Sequence, residues 1–380
     1  MIRLTIPSIE EDDLLAVREV LSSGYLVQGE RVAAFEEALS KYVGTKYAVA
    51  VSNGTAALHL ALLAMDVRPG DLVIVTSYSW LSTANVIELC GAQPIFVDIR
   101  PDTFNMDPER LSTILKRLMT VRDTACRVKA ILPVHTFGQM ADMPAILKLA
   151  EKYNVPVIED AACAMGAMLR DKKAGTWGVM GCFSFHPRKA ITTGEGGIIT
   201  TNNADLAKRL KALRNHGQDP NASNPTFIMP GFNYRMTEFQ AAMGITQLAK
   251  IDRIIATRRR LAVDYDKLLQ GKSLQPPSVA QASHPVYQSY VVLLKEEAAA
   301  FRAQIIAYLK ELGIETAIGT YHMPMITHFR TRYGYREGDF PITDQVFARS
   351  LTLPLYEKLL KKEQKQVVLS LQEALHKYNT

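Results

Sequence analysis

Val157-Ile158-Glu159-Asp160, then Cys182-Phe183-Ser184-Phe185-His186-Pro187-Arg188-Lys189, then Thr192-Thr193-Gly194-Glu195-Gly196-Gly197, all within Val155 to Gly197, decide the fold. The first two are short apolar runs that stop abruptly at polar residues, the pattern of buried parallel strands. In open α/β sheets a ligand sits outside the carboxyl ends of such strands. Asp160 and Lys189 are therefore expected at one rim. For an arbitrary acid and lysine a structural ion pair is the simpler reading, but here Ser184 and a glycine-rich turn accompany them.

Those parts match the needs of a phosphorylated aldehyde cofactor. Pyridoxal 5′-phosphate requires an amine to condense with its aldehyde, an acid facing its ring nitrogen, and donors for its phosphate. Lys189, Asp160 and Ser184 offer one of each. A second anion site is expected upstream, where the strand Tyr47–Val51 leads through Ser52-Asn53-Gly54-Thr55 into an apolar helix, Ala56 to Met65. Free amides and the positive dipole end converge at such a start. Alone, this turn could be a plain cap by Asn53 or Thr55. Beside the lysine stretch, Gly54 and Thr55 become phosphate binders.

Glu-Asp-Ala-Ala at 159–162, Phe-Ser-Phe-His-Pro-x-Lys at 183–189, Thr-Thr-Gly-Glu-Gly-Gly at 192–197 and Ser-Asn-Gly-Thr-Ala-Ala-Leu at 52–58 resemble the DegT/DnrJ/EryC1/StrS family of sugar aminotransferases. The resemblance runs along nearly the whole chain. It implies an α/β, fold-type I (aspartate aminotransferase-like) enzyme: a large domain, residues 1–250, with a mainly parallel seven-stranded sheet, and a smaller α/β domain, residues 251–380. The reaction implied is ping-pong transamination through a Lys189 imine. An amino acid donor, glutamate in this family, gives its amino group to a keto sugar, expected to be nucleotide-linked.

The resemblance also distributes roles. Lys189 and Asp160 are the catalytic pair. Trp80, after a strand end, stacks on the pyridine ring, and Asn233 in Gly231-Phe232-Asn233-Tyr234-Arg235-Met236 reaches the cofactor phosphate of a neighbouring subunit, so that a homodimer shares its sites. Tyr25 in the loop Ser23–Gly29, His135 after the strand Ala130–Val134, His186, His216, and Tyr321 with His322 are candidate substrate contacts. A lone histidine after a strand is more often hydrogen-bonded filler, so His135 is placed near the site rather than as the base. One departure stands out: Cys163 occupies the position after Glu-Asp-Ala-Ala that is commonly glutamine, and a thiol is a weak donor to the cofactor's ring hydroxyl.

At 380 residues and 48% hydrophobic, the chain can bury a large core, and its net charge of +6 is modest. Arg258-Arg259-Arg260 is the densest basic run and reads as a solvated helix face, giving no support for nucleic acid as a partner. Cys90, Cys126, Cys163 and Cys182 show no metal-ligand spacing, and no apolar stretch is long enough to span a bilayer. A cytoplasmic protein without a metal or a membrane partner is expected. Two other readings share the lysine: a pyridoxal phosphate lyase or desulfurase, and a non-catalytic sensor that binds the cofactor. A nicotinamide dehydrogenase is disfavoured, since no Gly-x-Gly-x-x-Gly follows the first strand.

Overall fold

The computed structural model describes residues 1–378. The apolar runs form strands β1 (Tyr47–Val51), β2 (Leu72–Thr76), β3 (Gln93–Val97), β4 (Val128–Leu132), β5 (Ile158–Asp160), β6 (Met180–Ser184) and β7 (Gly197–Thr201). They are covered on both faces, which is why the sequence shows continuous apolar runs rather than alternation. Within β2, Ile74 packs on one side with Phe35, Leu39 and Phe183, while Val73 and Val75 pack on the other with Val49, Val51 and Leu132. Each such fully buried side chain contributes about 1.5–3 kcal/mol.

The strand orders are β1–β7–β6–β5 and β3–β2–β4. Parallel bridges Ile131–Val157 and Val134–Asp160 set β4 beside β5 and join the two groups. Only β7 opposes its neighbours, being antiparallel to both β1 and β6. Strands joined without a helical crossover have to pair antiparallel. The link from β6 to β7 is short and carries Lys189, so the reversal and the lysine turn are one feature.

Helices α1 (Glu11–Ser23), α2 (Glu30–Val43), α3 (Gly54–Ala64), α4 (Ser82–Leu89) and α5 (Glu238–Ala249) belong to the part of the chain that carries this sheet. The expected division at residue 250 falls at the start of α6 (Ile251–Leu269), which serves two cores. Ile251, Ile254 and Ile255 join the core that contains Phe35 and Phe183; Leu261, Tyr265 and Leu269 join a second. That second core surrounds an antiparallel sheet, β8 (Leu274–Gln275), β9 (Tyr290–Leu294) and β10 (Ser350–Leu353), and includes Val367 and Leu371 of the closing helix. The first residues join it too: the Ile2 amide donates to the Gly313 carbonyl at 2.7 Å, and the Leu4 amide to Glu315 at 2.9 Å.

Of the basic run on α6 only Arg260 is exposed, so the run as a whole is not a solvated face. Arg258 is buried and donates to the carbonyls of Tyr287 and Gln288, each at 3.2 Å, and Arg259 donates to Pro285 at 2.8 Å and His284 at 3.0 Å. Burial lowers the Arg258 pKa to about 10. The irregular segment before β9 leaves carbonyls without strand partners, and the guanidiniums answer them. No described helix is long and apolar enough to cross a membrane.

Glu36 and Arg214 fix edge strand β1 from within. They form a buried ion pair, the carboxylate accepts from the Ala50 amide at 2.9 Å, and the guanidinium donates to the Ala50 carbonyl at 2.6 Å. Arg214→Leu would leave the Glu36 carboxylate buried without its counter-charge, at an expected cost of about 3–5 kcal/mol. A lowered urea midpoint at unchanged slope is the outcome to look for; an unchanged midpoint would contradict it.

Candidate active site

Three strand ends build the site. Val51, Gly197 and Ser184 face one another across β1, β7 and β6. Directly after Val51 the chain turns into α3, and two glycines make room. A Cβ on Gly197 would lie 2.4 Å from the Asn53 carbonyl oxygen, and one on Gly54 would lie 2.7 Å from the Ser184 Cβ. Asn53 does cap the helix, accepting from the Ala56 amide at 2.8 Å. The cap leaves the amides of Gly54 and Thr55, which have no carbonyl one turn behind them, open beside Ser184. Capping and anion binding thus coexist.

Asp160 ends β5, in parallel register with Cys182 of β6, two residues before Ser184. It is buried, accepts from the Thr83 hydroxyl at 2.8 Å on α4, and accepts from the Ala162 amide at 3.1 Å. Burial raises its pKa; the Thr83 and Ala162 hydrogen bonds and the nearby Lys189 and His135 oppose the rise. The lysine turn is braced on several sides. The Lys189 amide donates to the His186 carbonyl at 2.8 Å, the Phe185 amide to Gly196 at 2.8 Å, and the Gln288 side chain to the Arg188 carbonyl. At the tip, the Lys189 Nζ donates to the Cys163 Sγ at 3.1 Å. Asp160, Lys189, Cys163, Ser184, Gly54 and Thr55 therefore meet at one rim. A dry acid, a reachable amine, a hydroxyl and free helix-start amides are the donor set a phosphorylated pyridine aldehyde requires, so these residues fit pyridoxal 5′-phosphate.

Two histidines need reassignment. His135 is buried, with one ring nitrogen 2.9 Å from Glu159 Oε2 and the other accepting from the Ala141 amide at 3.2 Å. Both ring nitrogens are occupied, so it is a structural residue rather than a substrate contact. His322 is also buried, 2.8 Å from Asp344, and burial lowers its pKa. Its β-pairing with Tyr78 turns it inwards, while its neighbour Tyr321, paired with Ser79, is half-buried. Trp80 is 58% exposed and meets the Tyr321 ring edge-on, with centroids 5.4 Å apart. It is no ordinary core tryptophan.

His186 is half-buried, and its Nδ1 accepts from the Arg188 amide at 3.2 Å. Tyr25, His216 and Asn233 are exposed. Their side chains have no hydrogen bond among the described residues, so the single chain does not join them to Asp160 or Lys189 by hydrogen bonds. His216 lies in the left-handed region, at φ 56°. Sequence reasoning also missed residues: Thr83, Gln288 and Glu238, whose carboxylate accepts from the amides of Gly29, Arg31 and Val32 at 2.7–2.9 Å. Of these only Thr83 had a signal, a hydroxyl at the start of a helix that follows a strand end at the same rim.

Comparison with known proteins shows the family and the fold. The profile of the DegT/DnrJ/EryC1/StrS aminotransferase family matches residues 7–372. The chain is 39% identical over 381 aligned residues to a GDP-perosamine synthase of Caulobacter vibrioides, covering 98% of each. Among solved structures, PseC of Helicobacter pylori, an aminotransferase involved in the biosynthesis of pseudoaminic acid, superposes with a TM-score of 0.91 at 26% identity, covering 99% of both chains. The pyridoxal phosphate form of a putative sugar aminotransferase from Streptococcus pneumoniae gives a TM-score of 0.92 at 26% identity, covering 99% of each chain.

The Asp160 shift has a measurable sign. A carboxyl whose folded pKa exceeds its unfolded value leaves stability untouched below about pH 3.9, and costs stability as pH rises through the folded value. In cofactor-free protein, Asp160→Asn should therefore raise the melting temperature at neutral pH, with the gain shrinking as pH falls towards about 4. A pH-independent difference in melting temperature would show that burial is not what shifts this group.

Proposed function

The chain belongs to the DegT/DnrJ/EryC1/StrS aminotransferase family, fold-type I enzymes that use pyridoxal 5′-phosphate, and on that premise we propose that it moves an amino group from L-glutamate to a nucleotide-linked keto-hexose. The observation that carries this reading is the meeting of Asp160, Lys189, Ser184 and the first amides of α3 at one rim. The relative named for GDP-perosamine makes a GDP-linked keto sugar the first acceptor to test.

Gly54, Thr55 and the Ser184 hydroxyl would hold the cofactor phosphate, Asp160 its ring nitrogen, and Lys189 its aldehyde carbon. Trp80 would cover the ring and Cys163 would flank it. Bound there, pyridoxal 5′-phosphate supplies an electron-withdrawing ring that lets an amino acid's α-proton leave. The protein's part is positional and protonic. The Lys189 Nζ would serve as the base that takes the proton from the donor's α-carbon and holds it for return, and in the second half it would work in reverse. Asp160 is buried and, among the described residues, held by only two donors, so its negative charge would be strongly felt by a cationic ring nitrogen.

Tyr25, His216 and Asn233 are assigned to a site completed by a second copy of the chain. Large exposed apolar side chains on α1 and the following loop, Leu14, Leu21, Tyr25 and Val27, and Phe227 with Ile228, support a homodimer. The four unpaired cysteines suit a reducing compartment, the cytoplasm.

Purified protein should show the visible band of lysine-bound cofactor, and excess glutamate should bleach it. Adding a GDP-linked keto-hexose should restore the band and yield an amino sugar detectable by mass spectrometry. Lys189→Ala should lack the lysine-linked band and lower kcat by about 10²–10⁴-fold or more. A band that glutamate leaves unchanged would exclude glutamate as donor.

A further inference from the structure

The departure at residue 163 places a thiol against the nitrogen on which the site depends. The Cys163 Sγ and Lys189 Nζ are 3.1 Å apart, and both residues are half-buried at the same rim. The other cysteines differ from it. Cys90 and Cys182 are buried, with burial pushing the Cys90 thiol up to about 12 and the Cys182 thiol upward as well. Cys126 is exposed and its thiol faces the Asp123 carbonyl at 3.4 Å. Among the described residues, Cys163 alone has an amine as its hydrogen-bond partner.

We propose that Cys163 and Lys189 form an oxidative modification site, in which peroxide converts the pair into a reversible sulfur–nitrogen crosslink. In the first step the Cys163 sulfur attacks hydrogen peroxide; an S–O bond forms, the O–O bond breaks, and the products are a sulfenic acid and water. Sulfenic acids condense with a nearby thiol or nitrogen. In the second step the neutral Lys189 amine attacks that sulfur, an S–N bond forms, and the hydroxide released takes the amine's proton as water. Sulfur is oxidised by two electrons and peroxide is reduced by two. Two equivalents of an external thiol reverse the link, regenerating the thiol and the amine with formation of a disulfide. A glutamine at 163 could not take part, because it has no oxidisable sulfur.

The crosslink consumes the amine that Lys189 needs for its cofactor. On the reading given under Proposed function, the link therefore forms only while Lys189 is free, in cofactor-free protein and in the half-reaction in which the cofactor carries the amino group. Bound pyridoxal 5′-phosphate prevents the crosslink by occupying the lysine. The same contact that sits beside the catalytic nitrogen thus makes the enzyme's resting state the protected one.

The experiment is non-reducing mass spectrometry of the full chain after treatment with hydrogen peroxide, without cofactor and with pyridoxal 5′-phosphate bound. Without cofactor, the expected result is a loss of about 2 Da, a linked peptide pair containing Cys163 and Lys189, and recovery of both mass and cofactor uptake with dithiothreitol. Cys126→Ser should leave the link in full, and Cys163→Ala should abolish it. Oxygen adducts on Cys163 with no linked peptide in the wild-type chain would overturn the proposal. A link that forms equally with and without cofactor would uphold the crosslink and overturn Lys189 as the cofactor's anchor. Absence of the link while Lys189 still binds cofactor would overturn the crosslink alone.

Discussion

The approach of Gly197 to the Asn53 carbonyl is the constraint on which the site depends. Strand β7 has to pass between β1 and β6, and its first residue touches the turn that starts α3. Any side chain at 197 would push that turn away from Ser184. Because β7 is antiparallel to both neighbours, the chain can leave β6, form the lysine turn and return within a dozen residues. One short reversal therefore sets the helix-start amides, the serine and the lysine beside one another, with no contribution from long loops.

Two adjacent carboxylates illustrate how the same strand can serve structure and chemistry. Successive residues of β5 point to opposite faces. Glu159 is buried and surrounded by donors, His135 and the amides of Gly175, Trp177 and Gly178, so its charge is fully answered and it fixes the loop 175–178. Asp160 is equally buried but receives only the Thr83 hydroxyl and the Ala162 amide. An incompletely answered charge in a dry place costs stability and attracts a cation. The first carboxylate closes a loop, and the second is left with fewer donors than its burial calls for.

Much of this was legible in the sequence, for identifiable reasons. Runs buried on both faces are short, apolar and stop abruptly at polar residues, so the strands ending at Asp160 and Ser184 announce themselves. Motifs such as Ser-Asn-Gly-Thr and the lysine stretch are local, and their chemistry survives without coordinates. Direction was not legible. His135 follows a strand as expected and His322 lies in a segment expected to face substrate, yet their rings turn inwards to Glu159 and Asp344, which the sequence separates from them by 24 and 22 residues. The role of Arg258 was hidden in the same way, since the carbonyls it satisfies belong to a segment about thirty residues on. Contacts between distant segments, such as Thr83 with Asp160 and Cys163 with Lys189, depend on packing that periodicity does not encode.

The pairing of the first residues with the last third of the chain has a consequence for biosynthesis. Ile2 and Leu4 bond to Gly313, Glu315 and Leu355. A chain emerging from the ribosome therefore carries Ile2 and Leu4 without these partners until Gly313, Glu315 and Leu355 have been made. Local contacts can form in the sheet region meanwhile, but closing so long a loop comes late. The segment around Ile2 and Leu4 thus works as a late latch, closed by residues made more than three hundred positions after it.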